Sequence, residues 1–343
     1  MRPKRAMWVM YHSTLHSVEV PSIESLGFEV YVPSPRISSE PMNLTLDPNS
    51  VEILDRHDFY NEPWSEELKT IINREFDFIV TSVYHVPLNE QLQHFKGPVF
   101  GRVFGREEEF NYAHWFEHYG STDFIKQAGE RFVFAAAYHN ILKIEERYLT
   151  DRASVIYCGI PNHILNMKDT WKRSKDVLMF HCPRISTVNY YRQRYEIIRA
   201  NFEGVPRVIM GSGSEPTEDD PTILGTISND ALFDLYQSVC AFLYTSPEAR
   251  HLHYSPVEAV IIGAPVLYLR GSQLSELAGT RLPGECESIQ DMRAKGESLL
   301  AGDIVLQEEI RSSQKEIFSD WDKASIRKQW EDAIGKVLHL FPS

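Results

Sequence analysis

LFDLYQSVCAFLYTSPEARHLHYSPVEAVIIGAPVLYL, Leu232 to Leu269, reads in order as helix, apolar strand, polar loop, helix, apolar strand. Two apolar runs separated by a helix make a βαβ unit, and such units place their strands side by side, parallel, with a right-handed crossover. The second helix opens on Ser255-Pro256-Val257-Glu258 and closes at Gly263. Ser, then Pro at the first helical position, then Glu is the pattern of a capping box. A helix entered from the C-terminal edge of a strand points its first N–H groups at whatever lies there, and phosphate is the group such a terminus suits.

The same alternation extends in both directions. Upstream, Val177 to Phe180, Arg207 to Met210 and Thr222 to Gly225 read as strands, with helices through Tyr195 to Phe202 and Asn229 to Ser238. In the first half, strands are expected at Ala6–Tyr11, Phe28–Val32, Phe76–Thr81, Gly97–Phe104, Arg131–Tyr138 and Ala153–Tyr157, and helices at Pro87–Phe95 and Asn140–Tyr148. Residues 33–65, rich in Pro, Ser, Asn and Asp, read as a long surface insertion. Cys158-Gly159-Ile160-Pro161-Asn162 interrupts the pattern, and a polar stretch follows. The expected organisation is an α/β domain over 1–163, a second over 164–315, and a C-terminal helix over 316–343 packing across both. In that last segment Phe318, Trp321, Ile326, Trp330, Ile334, Val337 and Leu338 recur at helical spacing, and the two Trp read as core.

The net charge is −13, from 48 acidic against 35 basic residues, which argues against nucleic acid as the main partner. Arg2, Lys4 and Arg5 form a small basic tip, enough for weak peripheral membrane association at most. The four cysteines lie far apart without a Cys-x-x-Cys pair, so they read as free buried thiols in a reducing, cytoplasmic compartment. No signal peptide is apparent, and the longest apolar run, Ala259 to Leu269, is too short to span a bilayer.

The motif order in the second half resembles that of nucleotide-sugar-dependent glycosyltransferases of the glycogen-synthase-like and sucrose-synthase-like, retaining type. Val155-Ile156-Tyr157-Cys158-Gly159-Ile160-Pro161 is similar to their interdomain strand and turn. Phe180-His181-Cys182-Pro183-Arg184 resembles their first donor-domain strand with its terminal Arg, and Val208 to Gly213 their strand ending in Gly-x-Gly. Leu224-Gly225 with Leu232 to Tyr236, then Glu248, Glu258 and Gly263-Ala264-Pro265-Val266, follow the donor signature, with nine residues between the two Glu, a wider gap than the family's. The resemblance covers roughly residues 150 to 280. It implies two Rossmann-like domains facing across a cleft, the glycosyltransferase B fold. It also implies a metal-independent transfer of sugar from a nucleotide-sugar co-substrate to a hydroxyl on a saccharide, lipid-linked saccharide or protein.

Such a reaction must stabilise a leaving diphosphate, the task of an Arg and a helix terminus. Arg184 is the candidate cation, joined by Arg192 or Arg194 on the following helix. The resemblance assigns Glu258 to the ribose hydroxyls and Glu248 to the donor sugar, and sets Tyr254 and Ser255 beside the diphosphate. Gly211 and Gly213 allow a close backbone approach, to the nucleotide or within a tight turn. On the acceptor side His12 and His16 follow the first strand and His139 a later one; each reads as acceptor-binding or structural, and His12 or His16 also as a base. Arg102 and Arg106 are candidates to meet an acidic acceptor. His251 and His253, with no third ligand apparent, do not suggest a metal. Two other readings stay open: another enzyme of the same fold, such as a nucleotide-sugar epimerase or a phosphate-polymer transferase, and a non-catalytic binding or scaffold relative.

Overall fold

A computed structural model describes residues 2–34, 42–106, 111–214 and 220–340. The described residues of Met1–Gly105, Phe110–Pro161 and Asp320–Ser343 form one compact unit, and those of Arg106–Glu109 and Asn162–Ser319 a second. The first holds strands β1 (Lys4–Val9), β2 (Phe28–Tyr31), β3 (Phe78–Ser82), β4 (Val99–Val103), β5 (Phe132–Ala136) and β6 (Ala153–Val155). The second holds β7 (Leu178–His181), β8 (Arg207–Met210), β9 (Ile223–Gly225), β10 (Ala241–Tyr244), β11 (Val266–Leu269) and β12 (Glu285–Cys286). Every pairing is parallel, in the orders β2-β1-β3-β4-β5-β6 and β12-β11-β10-β7-β8-β9.

These strands are nearly continuous apolar runs because helices cover both faces of a parallel sheet. Ala6, Met7, Trp8, Val9 and Phe78, Ile79, Val80 are fully buried in the first unit, as are Leu178, Met179, Phe180 and Ala241, Phe242 in the second. Each sheet reverses its winding once, between β1 and β3 and between β7 and β10. Loops at the C-terminal ends of those four strands therefore diverge, and the crevice between them is where open α/β sheets bind ligands.

Eleven of the strands fall on the expected runs; β12 is the exception, two residues without an apolar run to mark it. The stretch 33–65 differs from expectation, as far as its described residues go. It carries a helix, Pro48–Arg56, whose cap Asp47 accepts the N–H groups of Asn49 and Ser50, and it buries Leu54, Phe59 and Trp64. The expected helix at 140–148 is two short turns, His139–Leu142 and Arg147–Thr150. The C-terminal segment divides into Ile304–Gln314, a 3-10 turn at Ser319–Trp321 and Lys323–Leu338, the last capped by Asp322. Trp321 and Trp330 are buried, as their spacing suggested. All four cysteines are free and buried, and among the described residues no helix is long and apolar enough to cross a membrane.

Candidate functional site

At the β7/β10 switch point, the chain leaves β7 through Cys182, Pro183 and Arg184. Arg184 is exposed and has φ of +49°, a left-handed conformation that costs an L-residue about 1 kcal/mol or more. Hydrogen bonds hold it there: its N–H donates to Ser212 O at 3.0 Å, and its carbonyl accepts from Thr187 and Val188 at 3.1 and 3.0 Å. Its guanidinium lies over the Tyr191 ring, 5.3 Å from the centroid. The Gly-x-Gly turn after β8 braces this loop. A Cβ on Gly211 would fall 2.6 Å from Pro183 Cα, and one on Gly213 3.1 Å from Arg184 Cγ. Ser214 Oγ donates to Cys182 O at 2.8 Å and accepts from Ile185 N–H at 3.1 Å. The close approach these glycines permit is thus to the loop that bends Arg184.

From β10 the chain runs through Thr245 to His253 into helix Tyr254–Ile262, closed by the left-handed Gly263. His253 is the cap residue, but its side chain makes no capping bond. Its Nδ1 meets Tyr244 Oη at 3.0 Å and its Nε2 meets Tyr191 Oη at 2.8 Å. His181, from the end of β7, stands 4.9 Å from the His253 ring, and His251 stands 4.7 Å from it. A third histidine is therefore adjacent, contrary to expectation, although among the described residues no His, Cys, Asp or Glu group could hold a metal ion. Burial, then His251, lowers His181 to about 4. Burial, then His181, His251 and Arg184, holds His253 well below its ordinary value. His181 and His253 are therefore neutral at pH 7, next to the Arg184 charge.

The expected capping box does not form. The helix starts at Tyr254, so Ser255 lies inside its first turn instead of ahead of it, and is buried there. Glu258 turns instead toward the buried Tyr236 hydroxyl, and burial raises its carboxyl above the usual carboxylate range. Glu248 is half-buried on the preceding loop, where its carbonyl accepts from Gln273 N–H at 2.6 Å and its N–H donates to Ser246 Oγ at 3.3 Å. Tyr190 Oη reaches the same Ser246 hydroxyl at 3.2 Å. Of the two helix arginines, Arg192 donates to Ser186 O at 2.8 Å and is exposed. Arg194 lies 5.5 Å over the Tyr190 ring with its Nε buried and unpartnered. His181, Tyr191, Tyr236 and Tyr244 escaped the sequence reading. Their one signal was a polar atom at the end of an apolar run or on the buried face of an adjoining helix.

In the first unit, His12 ends the loop after β1 and His16 sits one turn into helix Ser13–Glu24, its ring 5.4 Å edge-on to Trp8. His139, exposed, opens the turn after β5 with its ring 6.4 Å from Tyr157. Arg102 is not available to an acceptor: it is buried in the β4 core, paired to a fully buried Glu19 at 2.6 Å.

No family model matches the chain, and no curated protein matches its sequence. Solved structures match its fold. Anabaena Alr3699/HepE, crystallised with UDP and glucose, aligns with a TM-score of 0.61 at 13% identity, over 98% of this chain and 100% of that one. AviGT4, a glycosyltransferase involved in avilamycin A biosynthesis, gives 0.56 at 14% identity over 98% of both chains. A glycosyltransferase from Rickettsia africae gives 0.64 at 11% identity over the whole of both. The chain has the glycosyltransferase B fold, with two Rossmann-like domains.

Proposed function

We propose that the chain is a glycosyltransferase that moves a sugar from a nucleotide-sugar donor to a hydroxyl acceptor, without a metal and with retention at the anomeric carbon. The observation that carries this reading is Arg184: a cation bent into a left-handed conformation at the switch point of the second sheet, beside the opening turn of helix Tyr254–Ile262. Strain kept at a ligand-binding edge is a mark of function, and a cation with a helix N-terminus is the pair that a leaving diphosphate requires. The neighbours add a donor class, since HepE was crystallised with UDP and with UDP-glucose.

In this reading Arg184 neutralises the diphosphate, with Arg194 as the second cation. Tyr254 and Ser255 present backbone groups to it, Glu258 holds the ribose and Glu248 the sugar. His16 and His139 meet the acceptor, a saccharide, lipid-linked saccharide or protein. A cytoplasmic location is part of the same reading, supported by the four free thiols.

The test is a thermal-shift titration of the intact protein with UDP, alongside GDP, dTDP, ADP and CDP. A ligand that binds only the native state raises the melting temperature by mass action. We expect UDP to stabilise the protein and Arg184→Ala to weaken its binding about 10- to 100-fold, the worth of a charge-assisted contact of about 1.5–3 kcal/mol. Undiminished UDP affinity in Arg184→Ala would remove the assignment.

A further inference from the structure

His12 stands at the other switch point, where β2 and β3 pair with opposite edges of β1. It caps helix Ser13–Glu24, its Nδ1 accepting the Leu15 N–H at 3.3 Å. A neutral imidazole has one N–H and one bare nitrogen, and the hydrogen bond made by one fixes the state of the other. With Nδ1 as acceptor, the proton belongs on Nε2. Phe104 flanks the ring, with centroids 6.2 Å apart and a tilt of 34°, and the Arg102 guanidinium lies 5.0 Å over Phe104. Arg102 is itself immobile: Nε and Nη2 donate to Glu19 Oε1 at 3.0 and 2.6 Å, and Nη1 donates to Ala135 O at 3.0 Å. The charged groups facing His12 are thus Arg102, from β4, and Glu19 of its own helix, bound to that arginine. Dehydration first, and Arg102 to a smaller degree, lower the imidazole below its ordinary value.

We infer that His12 acts as a fixed, neutral hydrogen-bond donor, offering Nε2–H to a saccharide oxygen, and not as the base that deprotonates the acceptor. A base must face the hydroxyl with a bare nitrogen, and the bare nitrogen here is occupied by the helix. The nature of the ligand rests on the glycosyltransferase reading; the tautomer does not.

Two measurements on the full chain test this. Nitrogen-15 NMR of histidine-labelled protein should find the His12 proton on Nε2 from about pH 7.5 to 9, above the ordinary imidazole range; a proton on Nδ1 overturns the inference. The second uses His12→Asn. Asn is as good a helix cap, so its Oδ1 replaces Nδ1 toward Leu15 while its amide stops short of the Nε2 position. We expect unchanged melting, with UDP release from UDP-glucose reduced about 10-fold in kcat/KM, the worth of one hydrogen bond, and no histidine titration in either profile. Full turnover by His12→Asn overturns the inference. So does a wild-type rate that rises through a pKa absent from the variant. If neither protein releases UDP, the result counts against the glycosyltransferase reading, and the tautomer alone decides the role of His12.

Discussion

Arg184, Asp169 and Arg173 are the non-glycine residues with positive φ among those described. An arginine there is a poor choice for stability, which makes a direct comparison available. Glycine adopts the left-handed region without the Cβ penalty, whereas alanine retains it. Both Arg184→Gly and Arg184→Ala lose the cation and its contact with Tyr191. We therefore expect Arg184→Gly to be more stable than Arg184→Ala by about 1 kcal/mol in urea unfolding, while both lose UDP affinity equally. An alanine variant as stable as the glycine one would mean that the backbone at 184 is relaxed. The sequence supplied this position as a cation at a strand's end. It did not supply the left-handed backbone, which is held by hydrogen bonds to Ser212 of the turn after β8 and to Thr187 and Val188.

 Pro183 and Gly211 lie far apart along the chain and meet because β7 and β8 are neighbours in the sheet.

At the scale of elements, the loops at the β7/β10 switch point bring together what the sequence kept separate. His181 ends β7, while His251 and His253 end the loop after β10. Alternation of apolar and polar runs was enough to locate the strands, because a buried parallel strand is a continuous apolar run. Strand order is not written in that pattern, so the adjacency of β7 and β10, and with it the histidine cluster, was not legible. The capping box misled for a local reason: Ser, Pro and Glu fit a helix capped by Ser255, but the helix begins at Tyr254, with His253 at the cap. The cluster has a pH signature. His181 and His253 bind protons less well in the native state than their ordinary 6.5, His181 falling to about 4. Below pH 6.5 the unfolded chain takes up protons that the native state refuses. Their stabilisation is therefore complete above that pH and is lost progressively as the pH falls toward the native values. We expect the unfolding free energy of the second unit, read from urea titrations, to drop between about pH 6.5 and 5, ahead of most carboxylate titration, by on the order of 2 kcal/mol. His181→Asn should flatten part of that slope. An unchanged slope in this variant would place the acid sensitivity elsewhere.

At the scale of the whole molecule, the second unit draws nearly all its residues from one stretch, Asn162–Ser319, whereas the first needs the last helix of the chain. Lys323–Leu338 packs on helix Ser13–Glu24, and Trp330, fully buried, lies 5.7 Å from Phe100 of β4 and 5.9 Å from the Arg102 guanidinium. The helical spacing of the tail made its aromatics legible as core. Which core they complete depends on a contact between residues more than 200 positions apart in the chain, and no local pattern encodes that. Removing the Trp330 ring leaves a cavity against β4 and should cost about 3–5 kcal/mol, all of it in the first unit. We expect Trp330→Ala to speed hydrogen exchange at the amides of Met7, Val80 and Phe100 while leaving Phe180 and Leu243 protected as in the wild type. Exchange that accelerates equally in both sheets would mean that the two units unfold as one, and that the last helix stabilises the entire chain and not the first unit alone.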